Sequence, residues 1–265
     1  MNNTLAQDIL QIARDAGDKI MHVYRSADFS VTHKGDDSPL TRADIAAHTH
    51  IVEALEALTP DIPVLSEEDA DIPYATRKEW TRHWLVDPLD GTKEFIKRND
   101  EFTVNIALIE NGEPTLGAVH APALNLSYLA ARGHGAWQSQ GGALQRMHTR
   151  KTPARPSFVV SRSHQDAELQ ALLAKLPEHE AVSRGSSLKI CMVASGEADL
   201  YPRTGPTSEW DTAAGHAVVL EAGGQMLRLP ELTPLTYNQK DSVLNPGFIV
   251  FGDNDYGWPQ RLKTG

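Results

Sequence analysis

Apolar residues recur near the start of the chain at Leu5, Ile9, Ile12, Ala16, Ile20 and Val23, with polar and charged residues between them. This spacing of three to four predicts an amphipathic helix over 5–24. After a loop around Lys34-Gly35-Asp36-Asp37-Ser38-Pro39, a second helix is predicted over 41–58, ending before Pro60. Ile45, Val52, Leu55 and Leu58 form its expected core face. Ile62 to Leu65 then reads as a short strand running into Ser66-Glu67-Glu68-Asp69.

The pattern next shortens. Thr103–Ile109, Thr115–His120, Leu126–Ala131 and Ala136–Gln138 read as strands separated by turns such as Asn111-Gly112 and Arg132-Gly133, which predicts an antiparallel meander. The composition changes at the proline-containing stretch Lys151-Thr152-Pro153-Ala154-Arg155-Pro156. A subdomain boundary is placed there, giving parts 1–154 and 155–265. The second part alternates: a strand at 158–161, helices at 165–176 and 187–195, a strand at 198–201, a helix at 211–222 ending at Gly223-Gly224, and a buried strand at 248–251. The expected class is therefore an α+β first part followed by an α/β second part.

Composition narrows the partners. The chain has 265 residues, a formal net charge of −10 and 40% hydrophobic residues. The acidic balance argues against a nucleic-acid polymer as partner. No apolar run approaches ~18 residues, so no transmembrane segment is expected. The first residues lack the basic and apolar regions of a signal peptide. Cys191 is the single cysteine, which excludes an intrachain disulfide and fits a cytoplasmic location.

The stretch Trp84-Leu85-Val86-Asp87-Pro88-Leu89-Asp90-Gly91-Thr92-Lys93-Glu94-Phe95 carries the most chemistry. An apolar strand end gives way to a turn holding two carboxylates, an oxygen-rich place for a hard divalent cation such as Mg²⁺. Gly91 and Thr92 add backbone N–H groups and a hydroxyl suited to a phosphate. Asp-Pro and Asp-Gly also simply make turns, and both readings stand for this stretch alone. Two further acidic positions can converge with it. Glu67-Glu68 follows the short strand. Asp211, in Ser208-Glu209-Trp210-Asp211-Thr212, sits at a predicted helix start, where an N-cap is the plainer reading.

Taken together, Ser66-Glu67-Glu68, Asp87-Pro88-Leu89-Asp90-Gly91-Thr92 and Trp210-Asp211-Thr212-Ala213-Ala214-Gly215 resemble, in order and separation, the motifs of the inositol monophosphatase-like superfamily. These are Mg²⁺-dependent, lithium-sensitive phosphatases. The resemblance covers essentially the whole chain and implies a layered αβαβα sugar-phosphatase fold. It implies two or three Mg²⁺ ions held by Glu67, Asp87, the Leu89 carbonyl, Asp90 and Asp211. Asp44 would support a third ion or the attacking water. Thr92 would orient or deprotonate that water, with Glu67 beside it. The amides of Gly91 and Thr92 would hold the scissile phosphate.

Within the superfamily, Lys93-Glu94-Phe95, Gly185-Ser186-Ser187-Leu188-Lys189, Arg203 and Ser161-Arg162-Ser163-His164 are similar to elements of the 3′(2′),5′-bisphosphate nucleotidases. That likeness implies a small nucleotide bisphosphate as substrate, with His164, Ser186, Lys189 and Arg203 on its retained phosphate. The expected reaction is removal of the 3′-phosphate of adenosine 3′,5′-bisphosphate (PAP), with its sulfated analogue (PAPS) as a further substrate, in sulfate assimilation. An inositol or sugar monophosphatase is the alternative, because fold and metal ligands do not fix substrate. A non-catalytic nucleotide sensor is disfavoured because every metal acid and Thr92 is present. A calcium module is disfavoured because no Asp-x-Asp-x-Asp-Gly loop occurs. His48 and His50, two apart on a helix, do not form a zinc pair.

Overall fold

The computed structural model describes residues 1, 3–26, 39–160 and 167–264. Helices α1 (Thr4–Ser26) and α2 (Pro39–Leu58) open the chain. They are followed by β1 (Val64–Ser66), α3 (Tyr74–Arg77), β2 (Arg82–Asp90) and the short α4 (Thr92–Lys97). The meander is β3 (Thr103–Glu110), β4 (Glu113–Ala121), β5 (Leu126–Ala131), β6 (Gly135–Gln140) and β7 (Gln145–Met147). The second half comprises β8 (Ser157–Val160), α5 (Ala167–Leu173), β9 (Glu180–Ser183), α6 (Leu188–Ala194), β10 (Leu200–Arg203), α7 (Glu209–Glu221), β11 (Gln225–Arg228), β12 (Phe248–Phe251) and α8 (Trp258–Thr264).

Strands β1 to β7 form a seven-stranded sheet in sequence order, with β1 parallel to β2 and the remaining neighbours antiparallel. The other sheet has five strands in the order β11-β12-β10-β8-β9. Side-chain alternation assigns the layers. Trp84 and Val86 of β2 pack with α1 and α2, while Leu85 packs on the opposite side with α6, α7 and the inner face of the second sheet. The outer face of that sheet, including Phe158, Ile249 and Phe251, packs on Leu173 of α5 and Trp258 of α8. Helices and sheets thus alternate as αβαβα. Strands covered on both faces must be apolar throughout, and β3 and β4 are buried along almost their whole lengths.

Two expectations change. The core face of α2 is Ala43, Ala47, Ile51 and Leu55, whereas Ile45 is 52% and Leu58 38% exposed. Counting only large apolar residues rotated the predicted face, because small alanines occupy the side that meets α1. The helix at 211–222 begins earlier, at Glu209, with Ser208 as its N-cap. Short strands β7, β9 and β11 and the helices α3, α4 and α8 carry too little periodicity to have been read. Among the described residues, no helix is long and apolar enough to cross a membrane.

Gly117 on β4 sets how closely α7 approaches the larger sheet. A Cβ there would lie 2.3 Å from the Ala214 carbonyl oxygen and 2.9 Å from the Ala217 side chain. Gly117→Ala is expected to cost about 1–3 kcal/mol through overpacking, seen as a fall of about 2–10 °C in thermal midpoint. An unchanged midpoint would contradict this account of the α7 interface.

Candidate metal and phosphate site

The site grows from the ends of β1 and β2. Because these strands are parallel and pair Ser66 with Val86, their next residues, Glu67 and Asp87, lie side by side at the same sheet edge. The Glu67 N–H donates to the Val86 carbonyl (3.1 Å), and the Glu67 and Asp87 carboxyls are close enough to affect each other's ionisation. In a regular strand, Asp87 and Asp90 would point to opposite faces, being three apart. Here Asp87 pairs with Asn105 while Asp90 pairs with Thr103, so β2 carries one residue more than its partner across this interval. This bulge turns both carboxylates to the α7 face. The Leu89 N–H donates to Asp87 Oδ1 (3.1 Å), closing the turn within the bulge. Leu89 itself is buried between the two acids in sequence.

Gly91 ends the strand with φ of +100°, and a Cβ there would crowd the Phe102 backbone at 3.2 Å. Only glycine takes that conformation without strain, so the turn into α4, with Thr92 at its first position, depends on it.

Asp211 arrives from the opposite layer, at the third position of α7. Its Oδ2 accepts the Ser208 N–H (2.8 Å) in a reciprocal capping box. Glu209, fully buried beside it, accepts the Asn238 N–H (2.7 Å) and Lys240 Nζ (3.2 Å), which fixes the start of the helix. Oxygen atoms of Asp87, Asp90 and Asp211 consequently all lie within 4.8 Å of one another. Asp44, on α2, approaches from the other side of the sheet, close enough to Glu68 and Glu67 to feel both charges.

This crowding has an electrostatic signature. Burial, then the charges of Asp90, Glu67, Asp211 and Asp44, hold the Asp87 carboxyl well above the usual range. Asp211 is pushed up to about 7, by burial first and the Asp90 charge second. Asp44 reaches about 8, by burial, Glu68 and Glu67. Glu67 is raised chiefly by burial. Such a set of hard oxygen donors is incompletely neutralised by the chain itself, and a divalent cation is the group that fits it.

Beyond the acids lies a cavity whose lining includes Asp90, Glu94 and Asp211 together with Lys93, Arg184, Lys189 and Arg203. Ser186, Ser187, Tyr201 and Thr207 also reach it. Arg203 is nearly buried, and its Nε and Nη2 donate to the carbonyls of Gly205 (3.1 Å) and Pro206 (3.0 Å). Those bonds lie along one edge of the guanidinium and leave its Nη1/Nη2 end for a ligand. Lys189 Nζ donates to the Ser186 carbonyl (2.7 Å), and burial lowers its proton affinity. Arg184 donates to the buried Glu101 carboxylate (3.1 Å), whose other oxygen accepts the Gly185 N–H (2.8 Å).

Of the residues expected from sequence, Asp90, Gly91, Ser186, Lys189, Arg203 and Asp211 line this one cavity. Glu67, Asp87, Leu89 and Thr92 adjoin them along β1, β2 and α4. His164 lies outside the described residues. The Ser186 hydroxyl is engaged by Asp90 Oδ2 (2.5 Å) and Thr103 (2.5 Å). Sequence reading gave no site role to Arg184 and Tyr201 in the cavity, or to Thr103 and Asn105 behind it, and quoted Glu94 only as part of a motif. Two polar residues at alternate positions of an otherwise apolar strand were the available signal for the last pair.

Comparisons with known proteins place the whole chain. The model of the inositol monophosphatase family matches residues 2–251. The chain is 56% identical, over 93% of its length and 99% of the relative's, to the 3′(2′),5′-bisphosphate nucleotidase CysQ of Escherichia coli O157:H7. It is similar to the crystal structure of CysQ from Bacteroides thetaiotaomicron, a bacterial member of the inositol monophosphatase family. That match has a TM-score of 0.86 at 42% identity, covering 95% of this chain and 98% of that one. An inositol monophosphatase from Anabaena shares the fold, with a TM-score of 0.78 at 22% identity over 98% of this chain and 94% of its own.

The raised carboxyls fix a sign for pH dependence. The folded, cation-free protein holds protons that the unfolded chain releases, so this stabilisation is complete below the ordinary value of 3.8. It is lost as pH rises through about 7 for Asp211 and about 8 for Asp44. In chelator, thermal midpoint should fall between pH 5 and 8.5, and Asp87→Asn should raise it at pH 8.5 by about 2–4 °C. A midpoint lowered by Asp87→Asn at that pH would contradict the crowding.

Proposed function

The chain belongs to the inositol monophosphatase family, and we propose that it is a Mg²⁺-dependent 3′(2′),5′-bisphosphate nucleotidase. It converts PAP and water to AMP and phosphate, with PAPS as a further substrate yielding APS, in cytoplasmic sulfate assimilation. The observation that carries the substrate is the set of cations that share one cavity with the acids: Lys93, Lys189 and Arg203, with Arg184 already paired to Glu101. A substrate with a second anionic group answers both the acids' cations and these side chains. An inositol or sugar monophosphate has no second anion for Lys189 and Arg203.

Glu67, Asp87, the Leu89 carbonyl, Asp90 and Asp211 would hold two or three Mg²⁺ ions. The ions supply positive charge that eases deprotonation of the attacking water and steadies the leaving oxygen. The chain does the rest. The Gly91 and Thr92 amides receive the 3′-phosphate at the start of α4. Arg203, held along one edge by two carbonyls, presents its other edge to the retained 5′-phosphate, and Lys189 adds a point charge. Ordering by these contacts aligns the 3′-phosphorus with the acids. Thr92 orients the water, Asp44 supports it, and Glu67 takes up its proton. The water oxygen bonds phosphorus as the P–O3′ bond breaks, and the 3′-oxygen leaves as a hydroxyl with a proton taken from solvent water.

Asp211→Asn is expected to lower kcat at least about 100-fold with the fold intact by circular dichroism. Arg203→Met and Lys189→Met should each raise KM for PAP about tenfold or more, the worth of a charge-assisted hydrogen bond. Neither should change KM for adenosine 3′-monophosphate by a comparable factor. Equal losses on both substrates would refute the assignment of these cations to the retained phosphate.

A further inference from the structure

The segment that closes the cavity opposite Asp90 uses its polar groups in an unexpected direction. Asp90 Oδ2 accepts the Ser186 hydroxyl (2.5 Å), the Ser187 N–H (2.7 Å) and the Ser187 hydroxyl (2.9 Å). The Ser186 hydroxyl and the Ser187 N–H fill the two lone-pair directions of Oδ2 and leave Oδ1 for a cation. The Ser187 hydroxyl has one proton and also lies 2.6 Å from the Asp211 backbone carbonyl, so it links Asp90 to the start of α7.

The hydroxyls are themselves held. Asn105 Nδ2 donates to Ser187 Oγ (2.9 Å), and Thr103 Oγ lies 2.5 Å from Ser186 Oγ. The Ser186 proton goes to Asp90, and the single Thr103 proton lies between Ser186 Oγ and Asn105 Oδ1 (3.1 Å), so Thr103 ties both residues of this network together. Ser186, Ser187, Thr103 and Asn105 are all buried. Thr103 and Asn105 stand on β3 directly beside the bulge that carries Asp87 and Asp90.

We propose that Ser186 and Ser187 are positioning residues for the cation-binding acids and not contacts to the nucleotide. They restrict Asp90 to one oxygen toward Asp87 and Asp211, and tie it to the backbone at the start of α7. The inference rests on the reading that Asp90 and Asp211 hold the ions. It assigns to the two serines a role opposite in direction to a substrate contact, and the two roles move different quantities.

The test measures two constants on Ser186→Ala, Ser187→Ala and Thr103→Val in the full chain. One is the Mg²⁺ concentration giving half of the thermal stabilisation, read without substrate. The other is KM for PAP at saturating Mg²⁺. Positioning predicts a half-saturating Mg²⁺ raised about tenfold, the scale for residues that orient metal ligands, with KM changed less than about twofold. Thr103→Val, which keeps shape and does not line the cavity, should follow the serine variants in weaker form. A raised KM with unchanged Mg²⁺ dependence would overturn the proposal, as would no change in either constant. If the unsubstituted protein showed no Mg²⁺-dependent stabilisation, the cation reading itself would fail and the inference with it.

Discussion

Four carboxylates converge where chemistry ordinarily keeps them apart, and the fold is arranged around that repulsion. Glu67 and Asp87 are set side by side by the parallel register of β1 and β2. A single extra residue in β2 turns Asp90 onto their face. Asp211 closes the group from a helix in the next layer. Burial raises the cost of each charge, so the cluster is strained as anions and relaxed by protons or by a cation. The features nearby compensate locally. The Ser208 amide takes one oxygen of Asp211, and two serines take one oxygen of Asp90. In each case the chain satisfies one oxygen of the carboxylate, which leaves the other as an available ligand for a cation.

The same constraint explains how an acidic chain with a net charge of −10 can bind an anion. One cavity holds both signs. Acids end β2 and begin α7, while Lys189 and Arg203 come from α6 and the end of β10. Asp211 and Lys189 stand on neighbouring helices of one layer, so the packing of α6 on α7 fixes both signs at once. The close seat of α7 against Gly117 then has a functional side, because the depth of that helix sets where Asp211 meets Asp87.

Much of this was legible in the sequence, for identifiable reasons. The acids stand in short motifs with turn residues, and the apolar strand ends before them mark a sheet edge. The capping pattern at Ser208 and Asp211 was visible too, although Asp211 proves to be the third helical residue and not the cap. What the sequence concealed depends on the third dimension. The face of α2 was misjudged because packing selected alanines over larger apolar residues. The bulge is invisible without a partner strand to count against. The direction of the Ser186 hydroxyl could not be read either, because Thr103 and Asp90 are remote in the chain.

The measurement that bears most directly on the whole account is kcat/KM across a substrate panel with and without Mg²⁺: PAP, an inositol monophosphate and fructose 1,6-bisphosphate. Lys189 and Arg203 in the cavity predict Mg²⁺-dependent turnover of PAP preferred over inositol monophosphate by at least about 100-fold, the equivalent of two charge-assisted contacts. Fructose bisphosphate, doubly charged but lacking a nucleoside, should fall between them. A preference for inositol monophosphate, or PAP hydrolysis that persists undiminished in chelator, would contradict the account.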